Sequence, residues 1–421
     1  MESFKYNWNR AIGYLRTLLR WILIAGIVGT VGGLVGVAFH LSVEKVTALR
    51  EQHTWLLYLL PVGGVLIAGL YKLAKLENKG TDEVIDSVRS KTSVPILLAP
   101  LIFVSTVITH LCGGSAGREG AALQLGGSIG AQIGRIFRLD EKDMHLVTLS
   151  GMSAVFSALF GTPMTATAFA MEVISVGVVY YSGIIPCLIS ALVAFGISLL
   201  FHIEPVAFSV VQMPQYGVMP FLKVAGLAAL CAGLSILFCL LMSFTHKGAE
   251  KLFKNSFLRA AVGGAALIGL SLLFPHDYNG AGMELITEAI HGSAVWYAFL
   301  LKMLFTAITI GCGFKGGEIV PTFFIGATFG CCVGGLLGMN PGFSAAIGLV
   351  SLFCAVVNCP IASIFLGIEL FGGSGFLFYA VACAFSFALS GYFGLYSTQK
   401  IIYSKTRAEF ININAWKKIE D

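Results

Sequence analysis

Two glycine-rich stretches of this chain carry carboxylates that could serve as an acid and a base beside a bound anion. The first, GGSAGREGA, contains Arg118 and Glu119. The second, GFKGGEIVP, contains Glu318. Each stretch precedes an apolar segment that has the length of a helix, beginning near Gly120 in the first case and near Val320 in the second.

A glycine-rich turn before a helix is a recognised means of binding an anion. The helix N-terminus presents unpaired N–H groups and a partial positive charge, and glycines let the backbone come close to a ligand. Two such ends directed at one point would bind an anion without a full positive charge. Glycines alone could serve only close packing, but two related stretches, each with an acidic residue at its helix start, favour an ion site.

The composition indicates that membrane helices must position these stretches. Of 421 residues, 57% are hydrophobic and 12% charged, and the mean hydropathy is +0.84. A soluble domain carries about 25% charged residues. The net charge of +5 comes from basic clusters at the ends of apolar runs, so it reflects membrane topology rather than nucleic-acid binding. Basic residues near both chain ends predict that both termini are cytoplasmic, and no signal-peptide cleavage site is evident.

Apolar runs follow one another almost without linkers, and several are too short to cross a bilayer of about 30 Å. Interrupted membrane helices are tolerated where they line an aqueous cavity, which is typical of a transport site. Polar links are predicted over 75–93, with Asp82, Glu83 and Asp86 solvated, and over 246–256. The runs are 21–43, 55–74, 94–111, 120–136, 144–159, 163–176, 178–201, 217–245, 258–274, 294–311, 320–338, 343–358, 361–371 and 375–395.

The remaining polar and sulfur side chains give no second site. The ten cysteines lack metal-ligand spacing and are interpreted as small residues at helix contacts. His40 and His110 are interpreted as packing or helix-end residues. We therefore expect neither a metal nor a cofactor, and no cytoplasmic regulatory domain after the last apolar run.

The chain contains an internal repeat. Cys112-Gly113 aligns with Cys312-Gly313 at an offset of 200 residues, and Arg118 then falls opposite Glu318. A second block, from Pro163 to Glu172, aligns at an offset of 197 with the block from Pro360 to Glu369. Two repeats, about 17–201 and 217–400, are predicted to be related by inversion, with their broken helices meeting near the membrane midplane. The two glutamates that end the second block are interpreted as buried acids that stabilise a helix break through hydrogen bonds.

These residues resemble the motifs of the CLC family of chloride channels and proton-coupled anion antiporters. GREGA at 117–121 resembles the family's GREGP, and GEIVP at 317–321 resembles GxFxP, with Ile319 at the Phe position. Tyr396 in FGLYSTQK resembles the C-terminal pore tyrosine. The resemblance covers most of the chain. It implies an all-α integral membrane protein, built as an inverted repeat of tilted and broken transmembrane helices, and a homodimer with one pore per subunit.

The resemblance also implies roles for individual residues. Glu119 matches the gating glutamate, whose carboxylate occupies an anion site, competes with the anion and swings away when it is protonated. One residue would thus couple the movement of an anion to that of a proton. The anion-binding positions implied are Gly80, Thr81, Gly120, Ile319, Val320 and Tyr396.

Three departures from the chloride pattern resemble the fluoride/proton antiporter branch of the family. The chloride members' GSGIP serine motif is replaced by NKGTDEVID, where Thr81 is the hydroxyl that could take its place. The second of the paired glutamates is replaced by Val173, and Glu318 stands where chloride members have a neutral residue. On that resemblance Glu318 supplies the missing proton step or, when protonated, donates a hydrogen bond to fluoride. The alternatives are that Glu318 pairs with Arg118 or caps its own helix.

The predicted function is therefore proton-coupled fluoride export across the plasma membrane of a bacterial cell. Fluoride is strongly hydrated, so its binding requires strong donors such as a protonated carboxyl group. The transported partners would be fluoride and protons, in a lipid bilayer and without nucleic acid. Within the family the alternatives are a chloride/proton antiporter or a passive anion channel. A membrane enzyme with Glu119 and Glu318 as an acid/base pair is disfavoured, because no nucleophile or metal-ligand cluster accompanies them.

Overall fold

The fold is given by a computed structural model that describes residues 2–77, 79–90, 94–209, 212–274 and 278–416. The first half contains eight α-helices. They are α1 (Glu2–Gln52), α2 (Leu60–Leu73), α3 (Thr81–Ser87), α4 (Leu98–Cys112), α5 (Glu119–Ile136), α6 (Glu141–Phe160), α7 (Pro163–Glu172) and α8 (Ile184–Leu200).

The second half repeats this order. Its helices are α9 (Val218–Leu252), α10 (Ser256–Leu273), α11 (Met283–Ile290), α12 (Ala298–Gly311), α13 (Ile319–Leu336), α14 (Pro341–Val357), α15 (Pro360–Phe371) and α16 (Phe376–Leu389). Short 3₁₀ turns cover Thr54–Leu59, Tyr181–Gly183 and Gly373–Gly375. Helix α1 thus corresponds to α9, α2 to α10, and so on to α8 and α16.

A small sheet accompanies the helices and was not expected from the sequence. Strand β1 (Ser175–Val176) pairs in parallel with β2 (Lys400–Tyr403), and β2 pairs antiparallel with β3 (Phe410–Asn414). The sheet attaches the segment after α16 to the end of α7. The predicted all-α membrane architecture is otherwise confirmed.

The helix surfaces fit a lipid environment. Within the described residues, seven helices are long and apolar enough to cross a membrane, and others of 10–17 residues are too short to do so alone. Large apolar side chains such as Leu23, Phe244 and Leu273 are more than two-thirds exposed. In water such exposure would be unfavourable, whereas in a bilayer these side chains contact lipid.

Helices that correspond in the two halves begin with the same kinds of N-terminal residue, a capping side chain or a proline. Asp140 accepts a hydrogen bond from Asp143 N (2.8 Å) at the start of α6, and Asn340 accepts one from Phe343 N (3.1 Å) at the start of α14. A side-chain oxygen at this position satisfies a backbone donor that lacks a helical partner. Helices α7 and α15 both begin with proline, whose missing N–H costs nothing in the first turn.

Glycines bring α5 against α6, and α13 against α14, at backbone distance. A methyl group added at Gly126 would collide with the backbone of Gly151, and one at Gly326 would collide with the backbone of Gly348. Small residues at such contacts allow helices to pack closely in lipid, where the hydrophobic effect does not drive them together.

A ring of phenylalanines joins the two halves. Successive ring centroids are 5.0–5.8 Å apart, which is the usual range for favourable aromatic pairs. The ring contains Phe156, Phe160 and Phe169 from the first half and Phe323 and Phe353 from the second. The ring thereby packs α6 and α7 of the first half against α13 and α14 of the second.

The predicted polar links need correction. Residues 75–93 contain helix α3, although Asn78 and residues 91–93 lie outside the described residues. The link predicted over 246–256 is shorter, because α9 continues to Leu252 and α10 starts at Ser256. A helix that extends beyond the bilayer no longer needs apolar side chains. The polar residues at the end of α9 therefore look, in the sequence, like a link between helices.

Candidate functional site

The two glycine-rich stretches pair directly with each other. Gly117 N donates to Gly317 O, and Gly317 N donates to Gly117 O, both at 2.7 Å. The N-termini of α5 and α13, which begin two residues later, are therefore joined. The two stretches therefore meet in the structure, as the sequence predicted, through the hydrogen bonds between Gly117 and Gly317.

Glycine is required at this junction because other atoms occupy the space of a side chain. A methyl group at Gly317 would lie 2.3 Å from the backbone N of Gly120 and 3.0 Å from that of Glu119. A methyl group at Gly120 would lie 2.8 Å from the Cα of Gly317 and 3.2 Å from Glu318 Oε2. The carboxylate of Glu318 thus lies beside the first turn of α5.

Glu119 is folded back onto the start of its own helix. Its side chain is nearly inaccessible (3% exposed), and Oε2 accepts a hydrogen bond from the backbone N of Arg118 at 2.8 Å. Arg118 Nε lies 3.5 Å from Oε1. The carboxylate therefore uses a backbone donor of the kind that would bind an anion, and Arg118 orients its own loop.

Glu318 has a different environment. It is the residue before α13, but its side chain makes no hydrogen bond that caps the helix. Arg118 is paired with Glu119, so the alternative in which Arg118 pairs with Glu318 is not found among the described ion pairs. Neither structural alternative for Glu318 is therefore observed.

The two carboxylates open to different cavities. The Glu119 cavity, of about 890 Å³, is lined by Glu119, Val320, the last turns of α1 and residues 279 and 281–285. The Glu318 cavity, of about 940 Å³, is lined by Glu318, residues 79–82, Gln124 and Tyr396, together with the end of α9 and the start of α10. The junction of the two loops lies between them.

The predicted anion-binding residues divide among these regions. Gly80, Thr81 and Tyr396 line the Glu318 cavity, whereas Val320 lines the Glu119 cavity. Gly120 and Ile319 line neither cavity and are buried at the junction. The structure therefore brings the predicted residues to one junction and its two openings rather than to a single pocket.

Hydroxyl groups in the Glu318 cavity are available to donate hydrogen bonds. Tyr396 is 3% exposed, and its hydroxyl has no partner among the described residues. Thr81 Oγ1 accepts a hydrogen bond from Gln124 Nε2 at 2.8 Å, which leaves the Thr81 hydroxyl hydrogen free to donate. Sequence reasoning missed Gln124; a polar residue five positions after Glu119 in an otherwise apolar helix was the available signal.

Asp82 fixes the segment that carries Tyr396. Its carboxylate accepts hydrogen bonds from Ser397 Oγ (2.7 Å), Thr398 Oγ1 (2.9 Å) and Thr398 N (3.2 Å). The expectation that Asp82 is merely solvated is therefore wrong. Its partners lie more than 300 residues away in the chain, so no local pattern reveals the contact.

Glu172 and Glu369 stabilise each other's helices reciprocally. Glu172 at the end of α7 accepts from Ile361 N (3.2 Å) and Ala362 N (2.9 Å) at the start of α15. Glu369 near the end of α15 accepts from the backbone N atoms of Met164 and Thr165, both at 2.9 Å, at the start of α7. The interpretation of these acids as hydrogen-bonded supports of a helix break is confirmed.

The two cavities carry opposite balances of formal charge. Four carboxylates line the Glu119 cavity with two arginines; these residues are Glu44, Glu51, Glu119, Glu284, Arg50 and Arg118. Six Lys and Arg residues line the Glu318 cavity with four carboxylates; these residues are Lys79, Lys247, Lys251, Lys254, Arg259, Lys315, Glu77, Asp82, Glu250 and Glu318. The Glu318 cavity therefore has an excess of positive formal charge, and the Glu119 cavity an excess of negative formal charge.

The sequence profile of the family described as voltage gated chloride channel matches residues 63–391, which is most of the chain. The chain belongs to this family, the CLC family. A CLC relative from Pseudomonas syringae pv. tomato, described as a chloride/fluoride channel protein, is 34% identical over 96% of this chain and 91% of its own length. The H(+)/Cl(-) exchange transporter ClcA of Vibrio vulnificus is 28% identical over 86% of this chain and 84% of its own.

Solved CLC structures resemble the fold. A CLC-type fluoride/proton antiporter matches with a TM-score of 0.88 and 30% identity, covering 91% of this chain and 98% of the other. A slow cyanobacterial Cl-/H+ antiporter matches with a TM-score of 0.75 and 20% identity, covering 88% and 94%. The CLC architecture of interrupted membrane helices is therefore shared along nearly the whole chain.

Proposed function

We propose that this CLC protein exchanges fluoride for protons and exports fluoride across the plasma membrane of a bacterial cell. It would act as a transporter and not as an enzyme, in a homodimer with one pore per subunit and with both termini in the cytoplasm. The observation that carries the proposal is the arrangement of Glu119 and Glu318. They lie on loops that are joined by two hydrogen bonds, yet each opens to its own cavity.

Glu119 would act as the gate. When ionised, its carboxylate holds the backbone donor of Arg118 and is stabilised by the N-terminal partial charge of α5. Protonation removes the negative charge and with it most of this attraction. The backbone donors then become available to an anion, so proton uptake and anion binding alternate at one position.

Glu318 would carry the proton between Glu119 and the Glu318 cavity. Its carboxylate is not used to cap α13 and lies beside the first turn of α5, close to the gate. In its protonated form it could also donate a hydrogen bond to the anion. Either role explains why an ionisable residue is retained inside a membrane protein, where it is otherwise costly.

Fluoride is favoured as the anion by the two carboxyl groups of the junction, Glu119 and Glu318. A protonated carboxyl group is a strong donor that can replace part of the tightly held hydration shell of fluoride, and the hydroxyls of Tyr396 and Thr81 are further donors in the Glu318 cavity. The Pseudomonas relative is a chloride/fluoride channel protein by its description, and the structure that matches with a TM-score of 0.88 is that of a fluoride/proton antiporter. Chloride/proton exchange is the second candidate, supported by the description of the Vibrio transporter.

The test is ion flux from liposomes that contain the purified protein. Liposomes are loaded with sodium fluoride or sodium chloride, and external anion and pH are recorded together, with protein-free liposomes as the control. We expect fluoride efflux that draws protons inward, and much slower chloride efflux. Equal chloride and fluoride exchange would reject fluoride selectivity, and fluoride efflux without proton movement would reject antiport.

A further inference from the structure

Three side chains from separate elements line the Glu318 cavity, and each carries a donor atom that has no hydrogen-bond acceptor among the described residues. They are Lys315 in the loop before α13, Tyr71 in α2 and Arg259 in α10. None of them belongs to the gate, to the Tyr396 segment or to the residues that the family resemblance assigns to anion binding.

Lys315 lies against Tyr71. Its Nζ is 4.5 Å from the centroid of the Tyr71 ring, and it makes no hydrogen bond or ion pair within 4 Å among the described residues. Glu318 interacts with it electrostatically only at longer range. The Tyr71 side chain is 2% exposed, and its hydroxyl likewise has no partner in the described part of the chain.

Arg259 adds a second cation. Its Nη1 lies 3.5 Å from Glu250, but its buried Nε has no acceptor in the described part of the chain. Arg259 and Lys315 are close enough to repel each other electrostatically. Glu250 compensates Arg259 only in part, and Lys315 has no close anionic partner within the described ranges. The unused buried donors of Arg259 and Tyr71 add a cost that a bound anion would offset.

We propose that Lys315, Arg259 and the Tyr71 hydroxyl form a capture site for a small inorganic anion at the mouth of the Glu318 cavity. The anion accepts hydrogen bonds from the three groups and separates the two cations. From there it moves to the hydroxyls of Thr81 and Tyr396. The capture site raises the local concentration of the transported anion on this side, because the basic residues of the cavity outnumber its carboxylates.

This proposal rests on the proposed transport function. It adds that the anion is captured at the Glu318 cavity and not at the Glu119 cavity. The excess of basic residues is confined to the Glu318 cavity, whereas carboxylates predominate at the Glu119 cavity. Anion affinity measured from the Glu318 side should therefore depend on Lys315. Affinity measured from the Glu119 side should not.

The experiment compares Lys315→Gln with the parent protein in liposomes with a single protein orientation. Initial rates are measured against sodium fluoride and, separately, sodium chloride on the Glu318 side. We expect the half-saturating anion concentration to rise about tenfold, with the maximal rate and the number of protons per anion unchanged. Lys315→Arg should restore most of the affinity, and Tyr71→Phe should raise the half-saturating concentration by about twofold, since it removes one neutral hydrogen bond.

Lys254→Gln is the matched control. It removes the same charge from the same cavity, but Lys254 is exposed at the rim, where salt screens it. Its half-saturating concentration should change less than about twofold. An unchanged value in Lys315→Gln, or a loss confined to the maximal rate, would overturn the capture site. If the parent protein transports chloride rather than fluoride and Lys315→Gln weakens chloride transport at low concentration, the capture site stands and only the fluoride assignment fails.

Discussion

The two glycine-rich loops have the same backbone role but different charge arrangements. In the first loop Arg118 and Glu119 are adjacent and form an ion pair, and the carboxylate also holds a backbone N–H. In the second loop Lys315 and Glu318 are three residues apart, and neither has an ion-pair partner within 4 Å among the described residues. A repeated fold thus brings two carboxylates together while giving only one of them a local cation.

This difference continues into the cavities beyond the loops. Carboxylates outnumber basic residues around Glu119, whereas basic residues outnumber carboxylates around Glu318. A cavity with negative excess raises the local concentration of protons, and one with positive excess raises that of anions. The asymmetry suits a transporter that collects anions at one mouth and protons at the other.

The largest expected effect comes from removing the titratable group of the first loop. In Glu119→Gln the amide cannot carry a proton, so we expect proton exchange to fall to the rate of protein-free liposomes. The measurement is external pH during anion efflux. Glu44→Gln is the control, because Glu44 lines the same cavity but is 66% exposed in its side chain.

Proton exchange in Glu44→Gln should stay within about twofold of the parent, because an exposed ion pair such as that with His40 contributes little. If Glu119→Gln still exchanged protons at the normal rate, Glu119 would not be the coupling residue. The ion pair that distinguishes Glu119 from Glu318 would then play no part in proton coupling.

Glu318→Gln tests the second loop. We expect proton exchange to slow by about 100-fold, the lower range for loss of a positioned acid or base, with a smaller loss of anion flux. If Glu318 instead serves mainly as a donor to the anion, the half-saturating fluoride concentration rises while proton coupling remains. Glu77→Gln, an exposed residue of the same cavity, is the control and should leave both quantities unchanged. Normal behaviour of Glu318→Gln in both measurements would remove Glu318 from the transport cycle.

The sequence was informative where the two halves repeat each other. The offsets of 200 and 197 residues predicted which loops and which proline-led helices correspond, and the hydrogen bonds between Gly117 and Gly317 match the first offset. Contacts that occur in one half of the chain and have no equivalent in the other half could not be predicted from the repeat. Asp82 binds Ser397 and Thr398 across most of the chain, and α3 has only seven residues, two of them acidic in its first turn. A short polar helix of this kind looks like a solvated link, because burial by distant segments leaves no periodic pattern.

The approach of Lys315 and Arg259 to each other in the Glu318 cavity also had no signal in the sequence. Lys315 lies inside the second glycine-rich stretch, and Arg259 lies at the start of an apolar run, where basic residues are ordinarily attributed to topology. Only the packing of α2 and α10 around the second loop brings them into one cavity. The repeat predicted the junction of the two loops, whereas the charged lining of the Glu318 cavity depends on packing between segments that are distant in the sequence.

The smallest expected effect concerns stability and compares α7 with α15. Glu369 accepts an additional hydrogen bond from Thr165 Oγ1 at 2.6 Å, whereas Glu172 accepts only two backbone bonds. Glu172→Gln and Glu369→Gln should each lower the free energy of unfolding by about 1–2 kcal/mol, because an amide retains one of the two acceptor oxygens. Glu369→Gln should cost about 0.5 kcal/mol more, and this excess should vanish in a Thr165→Val background. Denaturant unfolding in detergent measures all four variants, and equal losses for the two glutamines in the parent background would mean that the hydroxyl bond adds nothing to the reciprocal support of α7 and α15.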